Sequence, residues 1–217
     1  MMAQEIGGKE SAKDFQWFVA ERWQEYYGEN HANKLRLICI ASFYVIELIN
    51  YFGLDLGFFR MPRAVDEHFH VAATALALSW SMLGTAILVC LKNRIFPRYL
   101  KYISTFCDVF SFTAVLLIAD GPKSPLLVGY FLILALSALR FNLPLVRFAT
   151  AASAASYLFV VFYFHQYRAL ILPSYHVLIF VLSLSLTGIL LGQIIRRIRT
   201  FSEDYVERLK AQEGGVR

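Results

Sequence analysis

Residues 71–91 read VAATALALSWSMLGTAILVCL, twenty-one positions without one charged side chain. Wound as a helix, such a run is about 31 Å long, the thickness of a bilayer's hydrocarbon core. The rest of the chain has the same character. It has 217 residues, 58% of them hydrophobic and 17% charged, with a mean hydropathy of +0.51. A soluble domain carries about 25% charge, so an ordinary soluble enzyme is excluded. A disordered chain is excluded too, because it cannot be this apolar. The charges bunch at the two ends and at short intervals, leaving long uncharged runs between them.

Working outward from 71–91, five more stretches qualify or nearly qualify as spans. They are Leu35 to Leu54, interrupted by Glu47; Tyr102 to Ala119, carrying Asp108; Ser124 to Leu139, short but clean; Phe148 to Phe164; and a sixth within Ala169 to Ile195, starting after Pro173. Gly53, Asn93 with Pro97, Asp120-Gly121-Pro122 and Asn142-Leu143-Pro144 punctuate the connections. Gly and Pro at such places break helices and shape turns. The expected fold is an all-α integral membrane protein, a six-transmembrane-helix bundle. It has an N-terminal segment at 1–34, the bundle at 35–195 and a cytoplasmic helix at 196–217.

Lys and Arg in the loops set orientation. With the N-terminus inside, the inner segments hold Lys9, Lys13, Arg22, Lys34, Arg36, Lys92, Arg94, Arg98, Lys101, Arg140, Arg147 and the basic residues from Arg196 on. The outer segments hold Arg60, Arg63, Lys123 and Arg168. Both termini are therefore expected in the cytoplasm. The net charge of +5 is mostly this asymmetry and secondarily an attraction to anionic membrane lipid. It points to no nucleic acid partner. The first 34 residues are too polar for a cleavable signal peptide, so the first span is expected to be its own insertion signal. Cys39, Cys90 and Cys107 fall in spans or at their ends, where free Cys acts as a small apolar group.

Between Ser11 and Gly28, the residues Phe15, Phe18, Val19, Trp23 and Tyr26 recur at the helical period. An amphipathic helix lying on the inner membrane surface is expected there. At the other end Ile195, Ile198, Ser202, Tyr205 and Leu209 fit a heptad seam below the sixth span. Gly188 and Gly192 lie above it with the G-x-x-x-G spacing that lets a second helix approach closely. Gly188, Gly192, Ile198 and Tyr205 are therefore the expected homodimer face.

An ionisable group in a span usually faces the bundle interior or a cavity. Glu47 and Asp108 are two such acids. Tyr44, Glu47 and Tyr51 share a helical face beside Asn50, and Ser104, Asp108 and Ser111 share another. No basic residue is placed at their depth, so both acids are expected to be neutral, hydrogen-bonded or wetted. Tyr44, Glu47, Asn50, Ser104, Asp108 and Ser111 form the expected pocket for a small lipophilic ligand; interhelical polar contacts are the structural alternative. His68, His70, His165 and His176 fall at the outer side with Asp66 and Glu67 nearby. Imidazole and carboxylate are usable metal ligands, but no motif of metal-binding spacing is present, and no metal or other cofactor is expected.

No G-x-x-x-x-G-K-[ST], H-E-x-x-H, G-x-S-x-G or C-x-x-C occurs, and the tails are too short for a catalytic domain. The chain is expected not to be an enzyme. A proton-coupled carrier using Glu47 and Asp108 is one alternative, and a metal or haem protein using the outer histidines is another.

Phe106-Cys107-Asp108-Val109 in the third span, the turn Asp120-Gly121-Pro122-Lys123-Ser124-Pro125, Tyr130, and a fourth span ending Ala138-Leu139-Arg140-Phe141 carry a resemblance. Residues 35 to 210 resemble the six-helix membrane domain of bacterial membrane-bound class III adenylyl cyclases and quorum-sensing-type histidine kinases. The resemblance implies a dimeric receptor or anchor for lipophilic signals in a bacterial inner membrane. It also implies that the last span drives a cytoplasmic effector of cyclase or kinase type. That output domain is not among these residues, so only sensing and coupling are implied.

Overall fold

The computed structural model describes the backbone of residues 2–55, 60–61, 65–93, 97 and 99–214, and the side-chain surroundings of 26–53, 65–93, 97 and 99–201. Among these residues six α-helices follow one another: α1 (Met2–Phe52), α2 (Glu67–Lys92), α3 (Leu100–Ile118), α4 (Gly129–Ala138), α5 (Leu143–Arg168) and α6 (Ser174–Gly214). Leu54–Asp55 and Arg60–Met61 form a two-residue antiparallel bridge between α1 and α2. Two 3₁₀ turns, Gly121–Lys123 and Pro125–Val128, lead from α3 into α4.

Among the described residues, five helical segments are long and apolar enough to cross a membrane: Tyr26–Phe52, Glu67–Lys92, Leu100–Ile118, Leu143–Arg168 and Ser174–Phe201. Their outward surface is apolar, with Leu78, Met82, Phe106, Phe110, Phe162, Leu178 and Leu190 all exposed. That is the surface of a multi-pass membrane protein, whose solvent is lipid.

α4 is the short helix. Its ten residues are about 15 Å long, and the 3₁₀ turn before it adds about 8 Å. It still joins opposite ends of the bundle. The turn before it packs Gly121 against Phe164 near the end of α5. The turn after it packs Leu139 and Arg140 against Gly28 of α1. α4 also sits deepest, with Gly129, Tyr130, Ile133, Leu134 and Ser137 buried.

The apolar core gathers on α3, α4, α5 and α6 around Phe112, Leu116, Tyr130, Leu134, Val160 and Leu184. Phe112 meets Tyr130 edge-on, ring centroids 4.9 Å apart. A Cβ on Gly129 would lie 2.3 Å from that Phe112 ring, so only glycine lets it lie against α4. Tyr130 Oη shares a hydrogen bond with Ser156 Oγ at 2.8 Å. Ser156 also bonds Thr113, which joins α3 to the same pair.

Several expectations change here. α1 is continuous from Met2 to Phe52, so the expected interfacial helix and the first span are one rod. The segment of α1 long and apolar enough to cross a membrane falls within Tyr26–Phe52, which includes the expected start at Leu35. The side chains of residues 11–25 lie outside the described ones. α6 runs on past residue 195 to Gly214 without a break, as the continuation of the sixth span expected from the sequence.

The two glycines of the expected dimer face are used inside the chain. A Cβ on Gly188 would lie 2.2 Å from Thr150 Oγ1 of α5, and one on Gly192 would lie 3.0 Å from Leu143 Cδ1. Within this one chain, the close approach that G-x-x-x-G permits is made by α5 on α6. Ile198 is exposed, and the side chain of Tyr205 lies outside the described residues.

Candidate functional site

On α1, Glu29, Asn33 and Arg36 recur at i, i+4 and i+7, which puts them on one helical face. All three are at most 1% exposed. They face Gly84 of α2, Ser104, Thr105 and Asp108 of α3, and Arg140 in the turn between α4 and α5.

Arg36 is held by Asp108. Its Nη2 donates to Asp108 Oδ2 at 2.8 Å. Its Nε lies 2.7 Å from Oδ1 at an angle that makes no hydrogen bond, so that contact is ionic. Trp80 Nε1 donates to the same Oδ1 at 2.9 Å. Arg36 Nη1 donates to Asn33 Oδ1, and Asn33 Nδ2 donates to the Gly84 carbonyl at 2.8 Å. A Cβ on Gly84 would lie 2.8 Å from Leu37 Cδ2, so the glycine lets α2 come this close to α1.

Arg140 repeats the pattern one layer further toward the same end. Its Nη2 donates to Glu29 Oε1 and to Ser104 Oγ, both at 2.9 Å. Its Nη1 donates to Thr105 Oγ1 at 2.5 Å and to the Lys101 carbonyl at 3.1 Å. Burial pushes the Arg140 guanidinium below its ordinary value, and the Glu29 carboxylate opposes that shift. The whole network holds two arginines and two carboxylates, so it is electrically neutral. It fastens α1 to α2, to α3 and to the α4–α5 turn.

A second polar cluster lies near the opposite end of α1 and α2. His70 Nδ1 and Glu47 Oε1 are 2.8 Å apart. The His70 ring stacks on Tyr51 at 3.9 Å, and Tyr44 Oη shares a hydrogen bond with Thr74 at 3.0 Å. Glu47 Oε2 is buried without a hydrogen-bond partner among the described residues.

The single expected pocket therefore divides. Ser104 and Asp108 belong to the arginine network, while Tyr44 and Glu47 belong to the second cluster. Glu47 is eleven residues beyond Arg36 along α1, about 16 Å away. Asn50 and Ser111 are half-buried and join neither hydrogen-bonded set. The expectation that no basic residue reaches the depth of Asp108 is overturned: Arg36 and Arg140, which looked like flanking positive charges, turn inward, and Arg36 bonds Asp108. Glu29, Asn33, Trp80 and Thr105 were not singled out in the sequence. The spacing of Glu29 and Asn33 from Arg36, at i, i+4 and i+7, was the signal for the first two of these.

Of the four outer histidines, His70 is engaged by Glu47 and Tyr51, while His68, His165 and His176 are exposed. No three His, Cys, Asp or Glu side chains converge into a metal-binding set among the described residues. The three cysteines are free and half-buried.

No family model, no curated protein and no solved structure matches the chain.

Proposed function

We propose that the chain is a six-span, non-enzymatic sensor or coupling module of a bacterial inner membrane, with both termini cytoplasmic. It takes up a small lipophilic ligand and acts on a cytoplasmic effector through α6. The fourth crossing is α4 with its 3₁₀ turn: short, buried, and attached to opposite ends of the bundle.

The observation that carries the coupling role is the continuity of α1 and α6. Both run unbroken out of their spans, and both leave at the end that holds Arg140. A rigid helix carries a rotation or shift within the bilayer directly to whatever it meets outside. The network supports the same reading, because Asp108 and Arg140 are two of the residues on which the family resemblance rests. They meet around α1, where a packing change would be felt by four helices at once. The input side is the Tyr44/Glu47/His70 cluster. There Glu47 has one oxygen committed to His70 and the other free to accept a hydrogen bond from a ligand's polar head.

A ligand shifts a packing equilibrium only by binding one state more tightly. The test is a spin-label distance between His31→Cys on α1 and Thr200→Cys on α6, both exposed positions, in a background lacking Cys39, Cys90 and Cys107. The protein is held in nanodiscs and titrated with medium-chain fatty alcohols and acids. The expected result is a changed distance distribution with at least one of them, weakened by Glu47→Gln. An invariant distance across the whole series overturns the proposal and leaves a static anchor.

A further inference from the structure

A half-open groove of about 350 Å³ runs along the seam between α5 and α6, on the outside of the bundle. Its floor is made of small residues, Ala151 and Ala154 on α5 with Gly188 and Gly192 on α6. Arg147 and Arg196 line it at the end where α5 begins and α6 leaves its span. Both arginines are exposed. Neither makes an ion pair with an acid among the described residues, where the salt bridges join Arg36, His70 and Arg140 to their carboxylates. The N-terminal end of α5 lies at the same level and adds the positive end of a helix dipole.

We propose that this groove is a binding site for an anionic phospholipid. The phosphate lies between Arg147 and Arg196, and an acyl chain follows the small-residue floor toward Ala154. Basic pockets between transmembrane helices recognise lipid headgroups in this way. The charge distribution selects lipid over a second copy of the chain. Two copies docked groove to groove would bring four guanidinium groups to one level, and like charges opposed in this way repel. An anionic headgroup neutralises the pair instead. The glycines are also already occupied by Thr150 and Leu143, so the floor is set without a partner. This proposal does not rest on the sensor reading.

The test is native mass spectrometry of the full chain in mild detergent, titrated with phosphatidylglycerol and phosphatidylcholine of identical acyl chains. The wild type is expected to retain phosphatidylglycerol preferentially. Arg147→Gln with Arg196→Gln should cut that preference about 30-fold, the equivalent of about 1 kcal/mol for each basic residue near an anionic headgroup. Arg168→Gln, at the other end of α5, should leave it unchanged. Ala154→Phe, which fills the floor, should weaken retention of both lipids. Circular dichroism checks that each variant is folded. Equal retention of the two lipids by the wild type overturns the proposal, as does an unchanged preference in the double variant. Displacement of the lipid by millimolar inorganic phosphate alone also overturns it, because the acyl chain would then contribute nothing. A dimer lost on Ala151→Trp would assign the groove to a second copy instead.

Discussion

Asp108→Asn distinguishes a neutral intramembrane acid from a charge clamped by arginine. The substitution is isosteric, and its Oδ1 can still accept from Trp80. Were Asp108 a neutral acid hydrogen-bonded among hydroxyls, the change would cost about 1 kcal/mol, the scale of one ordinary hydrogen bond. The structure gives a larger figure. The Arg36 and Asp108 side chains are 1% and 3% exposed, so water does not screen the pair. Removing one charge leaves the other buried and unpaired, at a cost of about 3–5 kcal/mol. It also gives the network a net charge of +1 beside the second buried arginine. Arg36→Gln alone should cost a similar amount, because it leaves the carboxylate buried.

The double variant Arg36→Gln/Asp108→Asn restores neutrality with two amides that can bond each other and Asn33. It should cost less than either single change. Unfolding by sodium dodecyl sulfate in mixed micelles, followed by circular dichroism, measures all four states. A single-variant loss below about 1 kcal/mol would refute the clamp. So would effects of the two changes that add within about 0.5 kcal/mol, the behaviour of independent sites.

Gly188→Ala should lower stability by about 1–3 kcal/mol through overpacking, because Thr150 Oγ1 stands 2.2 Å from the new Cβ and is bonded to the Val146 carbonyl; Thr150→Ala should restore most of it in the same titration. Tyr130→Phe should cost about 1 kcal/mol, the bond to Ser156, whereas Tyr130→Ala should cost about 3–5 kcal/mol by opening a cavity against Phe112; equal costs would place the hydroxyl, not the ring, at the centre of the core. Gly121→Ala should destabilise the α3–α4 turn, since φ is +59° and the Phe164 ring lies 2.4 Å from the added Cβ; a thermal midpoint unchanged from wild type would refute that.

Span positions were legible in the sequence because lipid imposes one uniform demand, apolar side chains over a fixed length. α2, α3, α5 and the span of α6 all follow from it. α4 also showed as a short clean run, since a helix buried by its neighbours is apolar all round. The inward arginines were not legible. Arg36 and Arg140 stand at span ends, where positive charge is expected whether it reaches for water or turns into the bundle. Composition is identical in the two cases, and only the packing of Gly28 on Arg140 and of Gly84 on Leu37 decides between them. The same limit applies to Gly188 and Gly192. Their spacing announces that some helix comes close, but not whether it belongs to the same chain.

The two kinds of contact divide the bundle mechanically. α1, α3 and the α4–α5 turn share buried ion pairs, and α2 joins them by hydrogen bonds from Trp80 and to the Gly84 carbonyl; such directional bonds resist relative shifts. α6 is attached differently. The hydroxyls of Ser183, Ser185 and Thr187 bond back to carbonyls of α6 itself. Its span meets α5 and α4 through the glycine contacts, Leu184, and the Phe180 ring, which packs on Tyr157 at 4.2 Å and edge-on to Phe131 at 5.7 Å. Contacts of this kind hold α6 by close fit: sliding it would uncover no ion pair but would have to lift Gly188 off Thr150. A shift of α1 against the α4–α5 turn would instead separate Glu29 from Arg140 in a buried site. α1, which carries Glu47 about 16 Å from Arg36, is thus anchored at its far end by the arginine network. Translating α1 would part Arg36 from Asp108 and Glu29 from Arg140 together, so tilting it about that network costs less than sliding it.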